Sequence, residues 1–170
     1  MPTGLKQTSS TISIGFKVSE LAANTFVQGS VDLNLSPLDR EVFVVTAINL
    51  DPLPPDAIPA TDTGTNASLT TTSQTTTVNL DNSNCLATAS LGIRAGGYVD
   101  SGVGFTRNGM ETPPATLDYI GIIATNDFFV QLQGENNNVI KRVTGKVYGY
   151  RARADADIYA ALVQSEVLSA

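Results

Sequence analysis

Apolar and polar residues alternate along much of this chain with a period of two. From Thr11 to Val18, Ile12, Ile14, Phe16 and Val18 fall on one face and Ser13, Gly15 and Lys17 on the other, the pattern of a half-buried β-strand. Phe26–Leu35 repeats it through Val27, Gly29, Val31, Leu33 and Leu35, with Asp32 and Asn34 pointing away, until Ser36-Pro37 stops it. Glu41–Leu50 is apolar at nearly every position, which predicts a central strand covered on both faces. Further strands are predicted around Ser68–Thr72, Thr75–Leu80, Leu86–Ile93, Tyr98–Thr106, Asp118–Ala124, Asp127–Gln133 and Val139–Arg151, the last with a kink at Gly145. Gly102 and Gly104 point to a bulge or to close approach of another backbone.

Between these runs lie turns and two proline-marked loops. Asp51–Asn66 holds Pro52, Pro54, Pro55 and Pro59, four of the eight prolines, and shows no periodicity, so it reads as a long surface loop of the kind that forms contacts. Thr112-Pro113-Pro114 marks another. After Asp155 the period changes: Ile158, Ala161, Leu162, Ser165 and Leu168 recur at helical spacing, and Asp155 or Asp157 is placed to cap a C-terminal helix over 155–168. That helix reads as a lid on the open end of the β domain. Eight to ten strands without helical crossovers are antiparallel. The predicted fold is an all-β, single-domain antiparallel β-sandwich or jelly roll spanning 1–170, with residues 1–10 as an N-terminal extension.

Composition removes whole classes of chemistry. The chain has 170 residues, 42% hydrophobic and 15% charged, with no His and no Trp. Without His there is no Ser-His-Asp or Cys-His site and no imidazole-ligated metal, so no catalytic, cofactor-binding or metal-binding residues are assigned and no cofactor is expected. The single Cys85 cannot form an intrachain disulfide and reads as a small semi-buried residue. Carboxylate pairs such as Glu111 with Asp118, or Asp100 with Asp127, would suit glycoside chemistry only if the fold set them about 5 to 10 Å apart. The glycine-rich Arg94–Phe105 lacks the pattern of a phosphate loop. No run approaches the roughly 20 apolar residues of a membrane span, and Met1 to Gly15 carries no secretory h-region.

Charge is unevenly placed. Residues 1–140 carry five basic and thirteen acidic groups, 141–153 carry five basic and no acidic groups, and 154–170 carry three acidic groups, for a net −6. Lys141, Arg142, Lys146, Arg151 and Arg153, interleaved with Tyr148 and Tyr150, therefore form a basic strand in an acidic protein. Two partners fit it: the acidic surface of a neighbouring subunit, or nucleic acid. The first is preferred, because the whole chain is negative and the basic residues fall on both faces of a period-two strand.

The segments EVFVVTAINLDPLPP, DYIGIIATNDFFVQLQGENNN and KVYGYRARADADIYAALV, together with the overall strand pattern, resemble the single jelly-roll capsid proteins of icosahedral bacterial and archaeal viruses. The resemblance implies an eight-stranded barrel that assembles with copies of itself into a shell of the virion, beside an enclosed membrane or a second coat protein, its long loops making the contacts between subunits. Two other readings stay open: a tail, fibre, decoration or surface-layer subunit, and a carbohydrate-binding module for which Tyr148 and Tyr150, of the same parity, are the hint.

Overall fold

A computed structural model describes residues 2–99, 102–108 and 117–169. The strands are β1 (Leu5–Gln7), β2 (Ile12–Ser19), β3 (Val27–Asp32), β4 (Glu41–Pro52), β5 (Thr63–Thr70), β6 (Cys85–Arg94), β7 (Val103–Asn108), β8 (Gly121–Ile123), β9 (Asp127–Glu135) and β10 (Arg142–Ala154), followed by one helix, α1 (Ala156–Leu168). All pairings are antiparallel. In the first sheet β1 and β2 follow one another along one edge of β10, which pairs β4, which pairs β8; the second sheet runs β3-β9-β5-β6-β7. The order β2-β10-β4-β8 opposite β3-β9-β5-β6 is that of two interlocked Greek keys, the eight-stranded jelly roll, with β7 added at one edge.

The core lies between the sheets. Phe43, Val45, Ile48, Val143 and Val147 of the first sheet meet Leu69, Ala87, Phe128, Val130 and Leu132 of the second, and Phe16 meets Phe128 edge-to-face across the gap with ring centroids 5.9 Å apart. A second cluster lies on the outer side of the first sheet, where Val42, Val44, Tyr150 and Ala152 pack under Ile158, Tyr159, Leu162 and Val163 of α1.

These two clusters explain why β4 is apolar throughout. Up to Val45 its residues alternate between the inner core and the helix, so both faces are covered. At Thr46 an extra residue enters opposite the Tyr148/Gly149 step of β10, and the parity flips so that Ile48 and Leu50 again point inward. Beyond this bulge Asn49 and Asp51 are exposed and no helix covers the sheet. Gly145 and Gly149 on β10 are required by close approach: an added Cβ would stand 2.7 Å from the Phe16 ring at the first and 2.7 Å from the Phe43 ring at the second. The ladder irregularity on β10 thus falls at the Tyr148/Gly149 step and not at Gly145.

Other expectations are corrected. Thr75–Leu80 forms no strand, because its threonines meet no partner strand among the described residues. β3 ends at Asp32, since Asn126 holds the next residues off the ladder: its carbonyl accepts from Leu33 N (2.7 Å) and its side chain from Leu35 N (2.9 Å). Pairing to β10 carries β4 through Asp51 and Pro52, so the proline-rich loop covers only 53–62. Within the predicted N-terminal extension, Leu5–Gln7 is tied down as β1, whose Leu5 pairs Ala154. The helix lies over the outer face of the first sheet, not over an open end, and its buried face is 158/159/162/163/166; Ala161, Ser165 and Leu168 are exposed. Asp155 sits at the N-cap position without a side-chain cap bond. The predicted turn at Thr112-Pro113-Pro114 lies outside the described residues.

Candidate subunit interface

The structure divides the five basic residues into two kinds. Lys141 is buried at 3% exposure, and its Nζ donates to Asp56 Oδ1 at 2.7 Å. Asp56 Oδ2 also accepts from the backbone N–H groups of Asn138 (2.8 Å) and Val139 (3.2 Å). The Lys141 hydrogen bond and these two donors hold the Asp56 carboxyl below its ordinary range, against the opposing effect of burial. Arg151 bonds to Glu41 and donates to the carbonyls of Leu33 (2.5 Å) and Asn34 (3.2 Å), fixing the chain where β3 ends. Arg153 approaches Asp39 at 3.7 Å in an exposed pair. Three of the five charges are therefore answered within the chain.

Arg142 and Lys146 are exposed and have no ion pair among the described residues. Both lie on the outer face of β10, on the half of the first sheet that α1 leaves open. The register sets Thr144 between Lys17 and Asp51, Lys146 between Gly15 and Asn49, and Tyr148 between Ser13 and Ala47. Lys17, exposed and of the same facing, joins them, so the free patch is Lys17, Arg142 and Lys146, with Asp51 as the acidic residue that the register sets among them. Lys17 was visible in the sequence as an outward residue of β2, but only the β2–β10 register brings it here.

The proline-rich loop meets this patch. Asp51, Pro52 and Pro54 share a shallow cavity of about 130 Å³ with Arg142 and Thr144, and Leu53 N donates to the Arg142 carbonyl at 2.8 Å. Pro55 and Pro59 lie outside that cavity, Pro59 exposed. The loop is anchored at its middle: besides the Lys141 pair, Asp56 N donates to Asn137 Oδ1 (2.9 Å) and Thr63 Oγ1 donates to the Asp56 carbonyl (2.7 Å). Exposed Leu21, Val139 and Ile140 stand at the same end, next to the backbone bond from Glu20 N to the Lys141 carbonyl.

Two buried carboxylates carried no signal in the sequence. Glu20, at 2% exposure, accepts from Lys141 N (2.8 Å) and Gly134 N (3.1 Å). Glu166 on α1 accepts from Ala124 N (2.9 Å) and Thr125 Oγ1 (2.8 Å), which clasps the helix to the β8–β9 turn; burial raises its carboxyl against these bonds. Burial likewise pushes the half-buried Cys85 thiol up to about 11, where it is not a thiolate at neutral pH. Of the carboxylate pairs, Glu111 and Asp100 lie outside the described residues. Among those residues no group of three or more His, Cys, Asp or Glu side chains is placed to hold a metal ion, and no helix is long and apolar enough to cross a membrane.

No family model and no curated protein matches the chain. Among solved structures it is similar to one from Desmodium yellow mottle tymovirus, with 14% identity, coverage of 92% of this chain and 95% of that one, and a TM-score of 0.34.

Proposed function

We propose that this protein is a structural coat subunit that packs with copies of itself into the closed icosahedral shell of a bacterial or archaeal virus. The observation that carries the reading is the strand order β2-β10-β4-β8 against β3-β9-β5-β6, the jelly roll used by viral capsid domains. The same fold serves metal-centred enzymes, but a chain without His has no imidazole ligands to offer. The contact between subunits is the open half of the first sheet with Lys17, Arg142 and Lys146, flanked by the proline-rich loop and by Leu21, Val139 and Ile140. It docks against an acidic surface of the next subunit, and a second coat protein meets the shell elsewhere. The working location is the virion, assembled inside the host cell.

The test uses the exposed cations. Arg142→Glu with Lys146→Glu leaves the melting temperature of the unassembled subunit unchanged and abolishes closed shells in negative-stain images and light scattering. Arg151 and Arg153 are poorer probes, since Arg151 also holds the fold. Normal shells from the double variant overturn the interface. Tubes or flat sheets from the unaltered protein overturn the icosahedral coat and favour the tail or surface-layer reading. Shells that form only with added nucleic acid move the basic patch from subunit to genome.

A further inference from the structure

The outer face of the second sheet carries a feature unrelated to the assembly surface. Register places Glu135, Gly64, Gly92 and Phe105 in one row across β9, β5, β6 and β7. Gln133, Asn66, Ser90 and Arg107 form the row beside it. Of the two glycines side by side in neighbouring strands, Gly64 is covered by the Glu135 side chain, whose Oε2 would stand 3.3 Å from an added Cβ, while Gly92 leaves an open slot walled by Phe105 on its other side. Interior strand glycines weaken a sheet and mark a bulge, a bend, or close approach of a ligand or another backbone. The β5–β6 ladder is regular from Thr63 through Leu69, so no bulge explains them. A Cβ at Gly92 would meet only the Thr63 carbonyl oxygen, at 3.7 Å, so packing does not exclude a side chain there.

Two adjoining cavities open on this face, of about 230 Å³ over the glycine slot and about 220 Å³ beside the Thr77–Asn79 segment. Asn66, Ser90 and Arg107 line both. Each is smaller than the roughly 300–1,000 Å³ of a pocket for a drug-sized molecule, so together they suit two successive ring-sized units of a chain. The side chains of Asn66, Thr88, Ser90 and Arg107 make no hydrogen bond among the described residues and are free to bind. Phe105 is 55% exposed and offers a flat apolar surface. Arg94 and Arg107 are balanced by Asp62 and Glu135, so the trough is neutral overall and mixes donors with acceptors.

We infer that this trough binds a neutral oligosaccharide, one sugar ring lying over Gly92 against Phe105 and the next beside Arg107, Ser90 and Asn66. Hydroxyl groups both donate and accept, which matches the mixed lining, and the balanced charge gives a polyanion no advantage.

Saturation-transfer NMR on the full chain with maltohexaose, cellohexaose and mannohexaose at millimolar concentration tests this. At least one of the three binds, and Gly92→Val or Phe105→Ala weakens it at least about tenfold. Gly92→Val fills the slot with a residue that suits a strand, so its melting temperature stays at or above that of the unaltered protein. Both variants still form shells, which keeps this result separate from the coat reading. No binding of any of the three overturns the inference, and so does binding that neither variant changes.

Discussion

The Asp56–Lys141 pair predicts an asymmetry that no surface ion pair would show. Lys141 is 3% exposed and Asp56 is 25% exposed, so removing the acid strands an ammonium group in the interior, whereas removing the base leaves a carboxylate that water reaches. Breaking a buried pair from one side costs about 3–5 kcal/mol, and partial access of solvent to Asp56 puts Asp56→Ala near the lower end, about 3 kcal/mol. For a chain of this size each kcal/mol moves the melting temperature by roughly 2–4 °C, so a fall of about 6–12 °C is expected. Lys141→Met keeps the aliphatic stem in place, and Asp56 retains the Asn138 and Val139 N–H donors. Its cost is about 1 kcal/mol or less. The double variant, with no stranded charge, recovers most of the loss. The assay is thermal or urea unfolding of the unassembled subunit, because assembly itself would raise apparent stability. Equal losses from the two single variants, or additive losses in the double, refute the reasoning. The depressed Asp56 carboxyl fixes the sign with pH: its contribution is complete above the ordinary value of 3.8 and is lost as pH falls through the lower folded value.

Glu166 behaves in the opposite sense. Its carboxyl is raised by burial, so its contribution is greatest below the ordinary value of 4.5 and is lost as pH rises through the folded value. Glu166→Gln, able to accept from Ala124 N and to donate to Thr125 Oγ1, flattens this dependence at little cost near neutral pH. Glu166→Ala leaves Ala124 N without its acceptor and costs about 1–3 kcal/mol, and pH-resolved melts distinguish the three forms. Gly149→Ala drives a methyl group against Phe43 and the Val44 carbonyl and costs about 3 kcal/mol or more, while Gly104→Ala, with nothing within 4 Å, changes stability by no more than about 0.5 kcal/mol; chemical denaturation reads both. Raising salt to about 1 M shortens the screening length to about 3 Å, so shell formation slows while finished shells persist, as time-resolved light scattering would record; dissolution of finished shells would show that charge alone holds them.

Strand positions were legible wherever one face is buried along a whole element. β2 shows this best: its alternation maps onto a graded inward face ending at buried Val18. β4 was legible as a strand covered on both faces, yet the bulge at Thr46 was not, because an inserted residue in an already apolar run leaves no mark on periodicity. Thr75–Leu80 misled for the complementary reason: strand propensity without a partner strand makes no strand. On α1 the expected stripe was displaced because Glu166, a charged residue, occupies the buried face through its bonds to Ala124 and Thr125. The basic strand was visible as composition, but sequence does not distinguish Lys141, sealed against Asp56 from 85 residues away, from Lys146 in solvent. The glycine slot was unreadable because Gly64 and Gly92 lie on different strands and mean something only once register pairs them.

Internal pairing sharpens what the lopsided charge is for. With Lys141, Arg151 and Arg153 answered inside the chain, the unpaired part of the basic strand shrinks to Arg142 and Lys146, which Lys17 joins beside Asp51 as a net +2 patch; the whole chain is −6, so everything else sums to −8. In the proposed assembly, a second copy would bring that acidic remainder to the patch. Exposed pairs contribute only about 0–1 kcal/mol each, so three of them do not hold a shell together. Their effect is to steer approach and set register, while adhesion must come from apolar contact. Leu21, Val139 and Ile140 supply such surface at the same end, beside a proline-rich loop whose stiffness is reinforced by Asp56. In the proposed assembly the buried ion pair and the exposed patch are two parts of one arrangement: the first holds the loop and the β9–β10 turn in place, and the second would orient a neighbour that packs against them.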